Sequence, residues 1–196
     1  MSLFGNKAHK LYFMKRIFVT IAALFFVLSL SAQKGQVKTT QNTEDTPKVG
    51  IEIGDKAPEL EYLSPDGESI ALSSLQGKYV LIDFWAAWCG PCRRENPHVV
   101  ANYDEFKDKE FKNGSGFTVY GVSLDNNKAS WVKAIEDDNL KWPYHVSDLK
   151  GWNSEGAAKY SVRGIPSNFL IDGDGIIVAT NLRGQRLKDE LQKHLK

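Results

Sequence analysis

Hydrophobic positions fall into three regimes along the chain: one unbroken apolar run, a polar stretch, and a long series of short alternating or periodic segments. Ile17 through Leu30 is an apolar run of 14 residues, against the about 20 that a spanning helix needs. It follows Lys15-Arg16 and ends at the small residues Ser31-Ala32. Residues 1–32 therefore read as a secretory signal peptide, with cleavage after Ala32 or Ser31. Kept uncleaved, the same run would be a membrane anchor. Residues 33–50 are polar and aperiodic and read as a flexible linker. Residues 51–196 then read as one domain.

Within that domain Leu60–Leu63 alternates, Ser64-Pro65-Asp66-Gly67 turns, and Ser69–Leu72 returns, predicting a β-hairpin. Lys78–Ala86 is apolar on both faces and predicts a central buried strand. Helical spacing runs from Cys92 to about Phe111, with Val99, Tyr103 and Phe106 on one face and Pro97 as a kink. Phe117–Leu124 predicts a second buried strand. Ala129–Asp138 predicts a helix with Trp131, Val132 and Ile135 inward. Ser167–Ile171 and Ile176–Ala179 form a hairpin across Asp172-Gly173-Asp174-Gly175. Leu187, Leu191 and Leu195 mark the stripe of a last helix. The order is that of an α/β protein with a mixed sheet.

Composition narrows the function. The 196 residues hold 25 basic and 24 acidic side chains, but four of the basic and none of the acidic ones precede Gln33. The remaining body carries a net charge of −3, which gives no reason to expect a nucleic-acid partner. Two cysteines exclude a disulfide-dense scaffold and a four-cysteine zinc site.

Those two cysteines form Cys89-Gly90-Pro91-Cys92, where the central strand turns into a helix. A helix N-terminus offers free N–H groups and a positive dipole end, which stabilise a thiolate nucleophile. Cys89 at that end is expected to be the exposed attacking thiol. Cys92, one turn in, is expected to be buried and able to resolve a mixed disulfide. A purely structural bridge over two residues would restrict the unfolded chain little. A metal site would need more ligands than one CxxC supplies, and the four histidines show no partner spacing. Asp83 lies in the apolar strand six residues before Cys89, where a carboxylate must be protonated, paired or working. Glu95 shares the helix face of Cys92. Trp88 is expected as an exposed apolar platform, Trp85 as core, and Trp142 and Trp152 as core or surface packing. His98, Arg93 and Arg94 are expected on the helix surface.

The run Asp83 to Cys92 resembles the active-site segment of thioredoxin. Pro97 matches its helix-kink proline, and Val162-Arg163-Gly164-Ile165-Pro166 is similar to its cis-proline loop. The flanks Ile53–Pro58, Asp66-Gly67, Leu72–Lys78, Tyr160–Val162 and Phe169–Asp172 resemble the exported thioredoxin-like proteins of the TlpA/ResA group. The site departs from ResA-like members in carrying Asp83 where they often have Asn, together with the group's Glu95.

The resemblance implies a thioredoxin fold, a central mixed β-sheet flanked by helices, with an N-terminal β-hairpin extension. It implies an exported thiol-disulfide oxidoreductase in the periplasm or on the outer face of the cytoplasmic membrane. Cys89 and Cys92 would form its redox-active disulfide, with Asp83 and Glu95 moving the proton of Cys92. Trp88, Ile165 and Pro166 would bind substrate, the backbone of Ile165 pairing with an extended strand. The electrons reside on sulfur, so no cofactor or metal is called for. Partners would be disulfide-bearing proteins, apocytochrome c thiols among them, and a membrane thiol-disulfide electron donor. Two other readings stay open. A thiol peroxidase shares the lead-in but needs Thr or Ser where Ala86 stands, three residues before the reactive cysteine. A redox-inert module could use the proline loop merely to hold peptides.

Overall fold

The computed structural model describes residues 47–196. The signal peptide read over 1–32, and the linker up to residue 46, lie outside the described residues. Among those described, no helix is long and apolar enough to cross a membrane.

Strand β3 (Tyr79–Trp85) forms the centre, and all seven of its residues are buried. A strand covered on both faces is apolar at nearly every position, Asp83 being the exception here, which is why its sequence shows no alternation. Strand β6 (Phe117–Ser123), buried along its whole length, lies parallel to it on one side. Strand β8 (Ser167–Ile171) lies antiparallel on the other, setting Asn168 opposite Asp83. Strand β7 (Tyr144–Val146) extends the sheet in parallel beyond β6, and β9 (Ile177–Thr180) in antiparallel beyond β8. The order is β7-β6-β3-β8-β9. Ahead of β3 stands the expected hairpin, β1 (Glu61–Leu63) and β2 (Ser69–Ala71). The helices are α1 (Gly90–Phe106), α2 (Lys128–Asp137), α3 (Glu155–Lys159) and α4 (Gln185–Lys193). This is the expected mixed sheet with flanking helices and an N-terminal hairpin.

Three local expectations need correction. Helix α1 ends at Phe106, not near Phe111. Phe111 instead begins the turn back through the short strands β4 (Glu110–Phe111) and β5 (Gly114–Ser115), and its ring stacks on Tyr79 at 4.4 Å. Asn113 at that turn accepts from the Tyr79 hydroxyl at 2.7 Å, and a side chain on Gly173 would collide with the Asn113 carbonyl. Packing around Tyr79 thus overrides the helical periodicity. Leu195 falls beyond α4 and bridges Phe111, while Leu187 and Leu191 stay buried on the helix. Residues 48–50, read as the end of the linker, already pair with the domain. The Gly50 N–H reaches the Lys56 carbonyl at 3.0 Å, and the Lys56 N–H reaches the Lys48 carbonyl at 2.8 Å. The following residues run beside β9, with Gly54 N–H to Ile177 O at 2.8 Å and Ile177 N–H to Asp55 O at 2.9 Å.

Candidate active site

The site forms where β3 ends and α1 begins. Cys89 is the residue that caps α1, and its sulfur accepts the N–H of Cys92 at 3.2 Å. Pro91 sits in the first turn, where a missing N–H leaves no helical bond unmade. The two sulfurs are joined as a disulfide, with their Cα atoms 5.2 Å apart. The free N–H groups and dipole of α1 thus point at Cys89.

Exposure differs from expectation. Cys92 is 1% exposed, as a resolving cysteine should be, but Cys89 is also buried, at 4%. The reason lies across the site, where the Ile165 carbonyl oxygen is 3.7 Å from the Cys89 sulfur. The Ile165–Pro166 peptide bond is cis. The segment before β8 therefore packs on the disulfide. Trp88 stands beside it, 55% exposed, with its ring 6.2 Å from that of Trp152, itself 51% exposed. Trp85 and Trp142 are core.

Asp83 is buried in β3. Burial pushes its carboxyl up to about 7; the Arg183 cation opposes that rise, the Glu95 charge adds to it, and a hydrogen bond from Asn168 opposes it. Such a carboxyl changes charge near neutral pH, as a proton acceptor for a thiol requires. Glu95 is half-buried, and its Oε1 accepts the Gly184 N–H at 2.6 Å. Among the described residues no hydrogen bond joins Glu95 to either sulfur.

Other residues hold the loop before Cys89. Asp125 accepts the Ala87 N–H at 2.9 Å and the Ser123 hydroxyl at 2.7 Å. Arg93, expected on the surface, instead turns back to the Ala87 carbonyl at 3.2 Å and makes a two-pronged bond to Asp138. Burial alone would raise the Asp138 carboxyl; the bonds from Arg93 and Asn96 outweigh it and hold it below the ordinary range. Arg94 and His98 are exposed, as expected. Asp125, Asp138 and Arg183 carry no sequence motif. Asp125 alone had a usable signal, since it follows the C-terminal end of a parallel strand, the edge where α/β sheets place their functional loops.

The AhpC/TSA family model matches residues 53–180. ResA, a thiol-disulfide oxidoreductase of Bacillus thuringiensis subsp. konkukian, is 30% identical over 151 residues, which span 77% of this chain and 81% of its own. YneN, a thioredoxin-like protein of Bacillus subtilis, is 32% identical over 156 residues, 78% and 84% of the two chains. The thioredoxin domain of a Bacteroides vulgatus thiol-disulfide oxidoreductase superposes with a TM-score of 0.67 at 38% identity, over 75% of this chain and all of that one. A thiol:disulfide interchange protein from a Bacteroides species gives 0.64 at 37% identity, over 76% and 91%. With the disulfide at the helix cap and these relatives, the chain belongs to the AhpC/TSA family and, within it, to the thioredoxin-fold thiol-disulfide oxidoreductases of the TlpA/ResA type.

Proposed function

We infer that the protein is an exported reductase of disulfides in envelope proteins, and that Cys89 is its nucleophile. The observation that carries the chemistry is the Cys89–Cys92 disulfide at the cap of α1, with Cys89 against the Ile165 carbonyl. In the dithiol state the Cys89 thiolate attacks one sulfur of a substrate disulfide, and the other substrate sulfur leaves as a thiolate. Cys92 gives its proton to Asp83 and attacks the Cys89 sulfur. The mixed disulfide breaks, the second substrate thiolate leaves, and Cys89–Cys92 is oxidised. The substrate gains two electrons and takes up two protons. A membrane dithiol donor restores the pair. Substrate lies extended beside Ile165 and Pro166, flanked by Trp88. Glu95 supports this step from α1, through its hold on Gly184.

The direction of flow follows from charge. Gly90 and Pro91 place no cation between the cysteines, and Asp83 and Glu95 disfavour a stable Cys89 thiolate. Of the helix cations, Arg93 is already paired with Asp138, and Arg94, beside Gly90, is exposed and screened by solvent. A weakly stabilised thiolate makes the dithiol a good donor. In a glutathione or dithiothreitol titration the midpoint is expected near thioredoxin's, about −270 mV; a value above about −180 mV would make the protein an oxidant or isomerase.

Export rests on the basic, apolar and small-residue sequence of residues 1–32. The mature chain is expected to begin at Gln33 or Ala32. N-terminal sequencing of envelope material that starts at Met1 or Met14 would instead favour a retained anchor.

A further inference from the structure

The loop between β9 and α4 carries no motif, yet it is fastened from three sides. From β8, Asn168 binds both backbone groups of Leu182, donating to its carbonyl at 2.9 Å and accepting its N–H at 2.8 Å. From α1, Glu95 accepts the Gly184 N–H at 2.6 Å. Between these two anchors sits Arg183. Its guanidinium donates to the carbonyl of Leu182 at 2.6 Å, within its own loop, and to the carbonyl of Pro166. Pro166 directly follows Ile165, whose carbonyl lies against the Cys89 sulfur.

These contacts form one continuous mechanical line. It runs from Glu95 on the cysteine-bearing helix, through Gly184 and Arg183, to Pro166 and the Ile165 edge. The carbonyls of Pro166 and Leu182 belong to separate segments, and one guanidinium fork ties them together. A single planar group with several fixed donors suits that task; a lysine ammonium would reach both carbonyls less well.

We propose that Arg183 is a positioning residue for substrate recognition, holding the Ile165–Pro166 edge at the spacing from Cys89 that an extended polypeptide disulfide needs. This rests on the reading of the protein as a reductase of protein disulfides. Arg183 touches neither sulfur, and its charge reaches the exchange only through Asp83. Its loss loosens the edge on which the polypeptide backbone lies. A disulfide without a polypeptide backbone does not use that edge and is spared the part of the loss that comes from loosening it.

The experiment compares the unchanged protein with Arg183→Gln and Arg183→Lys on two substrates: insulin, and bis(2-hydroxyethyl) disulfide. Arg183 also faces Asp83, together with Glu95 from α1 and the uncharged Asn168 from β8. The assays are therefore run at about pH 9 for all three proteins, well above the value of about 7 that Asp83 has beside Arg183. With Arg183→Gln the KM for insulin is expected to rise about tenfold, the loss of one charge-assisted hydrogen bond, while kcat changes no more than it does on the small disulfide. The small disulfide shows only the change that both substrates share through Asp83, and the excess loss on insulin measures the positioning. Arg183→Lys falls between the two. Equal losses on both substrates, or no loss on either, overturns the assignment. Amide hydrogen exchange over residues 162–168 gives a second readout that does not depend on turnover. It is expected to quicken about tenfold in Arg183→Gln. Unchanged exchange there overturns the positioning role. Failure of the unchanged protein to reduce insulin would instead refute the reductase reading and leave the exchange result to judge Arg183.

Discussion

Changing Cys92 to Ser is expected to stop turnover and to accumulate the protein as a mixed disulfide with its substrates. The first attack needs only Cys89, which keeps its place at the cap of α1. The second attack needs a thiol at position 92, and a serine hydroxyl cannot break the S–S bond. Cys89→Ser should be equally inactive but form no adducts, since Cys92 lies inside the first turn of α1 and not at the cap that meets the Ile165 edge. Non-reducing electrophoresis of envelope extracts, followed by mass spectrometry, checks both. Adducts on Cys92 in the Cys89→Ser protein would reverse the two roles. The burial of Cys89 adds a condition: small alkylating reagents should react more slowly than an exposed low-pKa thiol would allow, because the Ile165 carbonyl stands in front of the sulfur.

Asp83→Asn is expected to stabilise the oxidised protein strongly at alkaline pH and hardly at all in acid. The folded carboxyl titrates at about 7, against 3.8 ordinarily, chiefly because burial disfavours its charge. The folded state therefore prefers the protonated acid. Its relative advantage is complete below pH 3.8, shrinks as the unfolded chain ionises first, and is gone once the pH has risen through about 7. A carboxyl raised by about three pH units carries a penalty of about 4 kcal/mol for the buried anion above that point. Asparagine has a similar shape and no charge to bury. At pH well above 7 the variant should gain a few kcal/mol, on the order of 10 °C in Tm for a domain of this size. The same change removes a proton acceptor, and the attack by Cys92 should slow by about 10²-fold. Denaturant unfolding at several pH values checks the first claim. A stability difference that does not vary with pH would mean that Asp83 is not the buried acid described here.

Much of this was legible in the sequence, for reasons that differ by element. β3 and β6 are buried on both faces, so their apolar runs had no competing reading as amphipathic helices. The cysteine pair and Pro166 are local signatures, complete within a few residues. β7 leaves no signal because three residues show no period, and α3 leaves none because five residues make little more than one turn. The end of α1 is hidden from periodicity because Tyr79, far back in the chain, draws Phe111 out of the helix. The depth of Cys89 and the surroundings of Arg93, Glu95 and Arg183 were illegible for the same reason. Arg93 meets Asp138 across 45 residues, and Glu95 meets Gly184 across 89. No periodicity records such pairs; only the folded chain brings them together.

The pairing of residues 54–57 with β9 bears on self-association. The outer strands of an open sheet carry unpaired N–H and C=O groups that can template another chain. Here the N-terminal extension reaches both sides of the sheet. Gly54, Asp55 and Ala57 bond to Ile177 and Gly175 at the β9 side, while Leu63 accepts the Ser147 N–H at 3.1 Å just past β7. The hairpin and its lead-in thus act as guards against edge-to-edge pairing. A chain cut back to Pro58 would keep every residue of the active site and lose the guard on β9, leaving the backbone groups of Ile177 open to pairing with another chain.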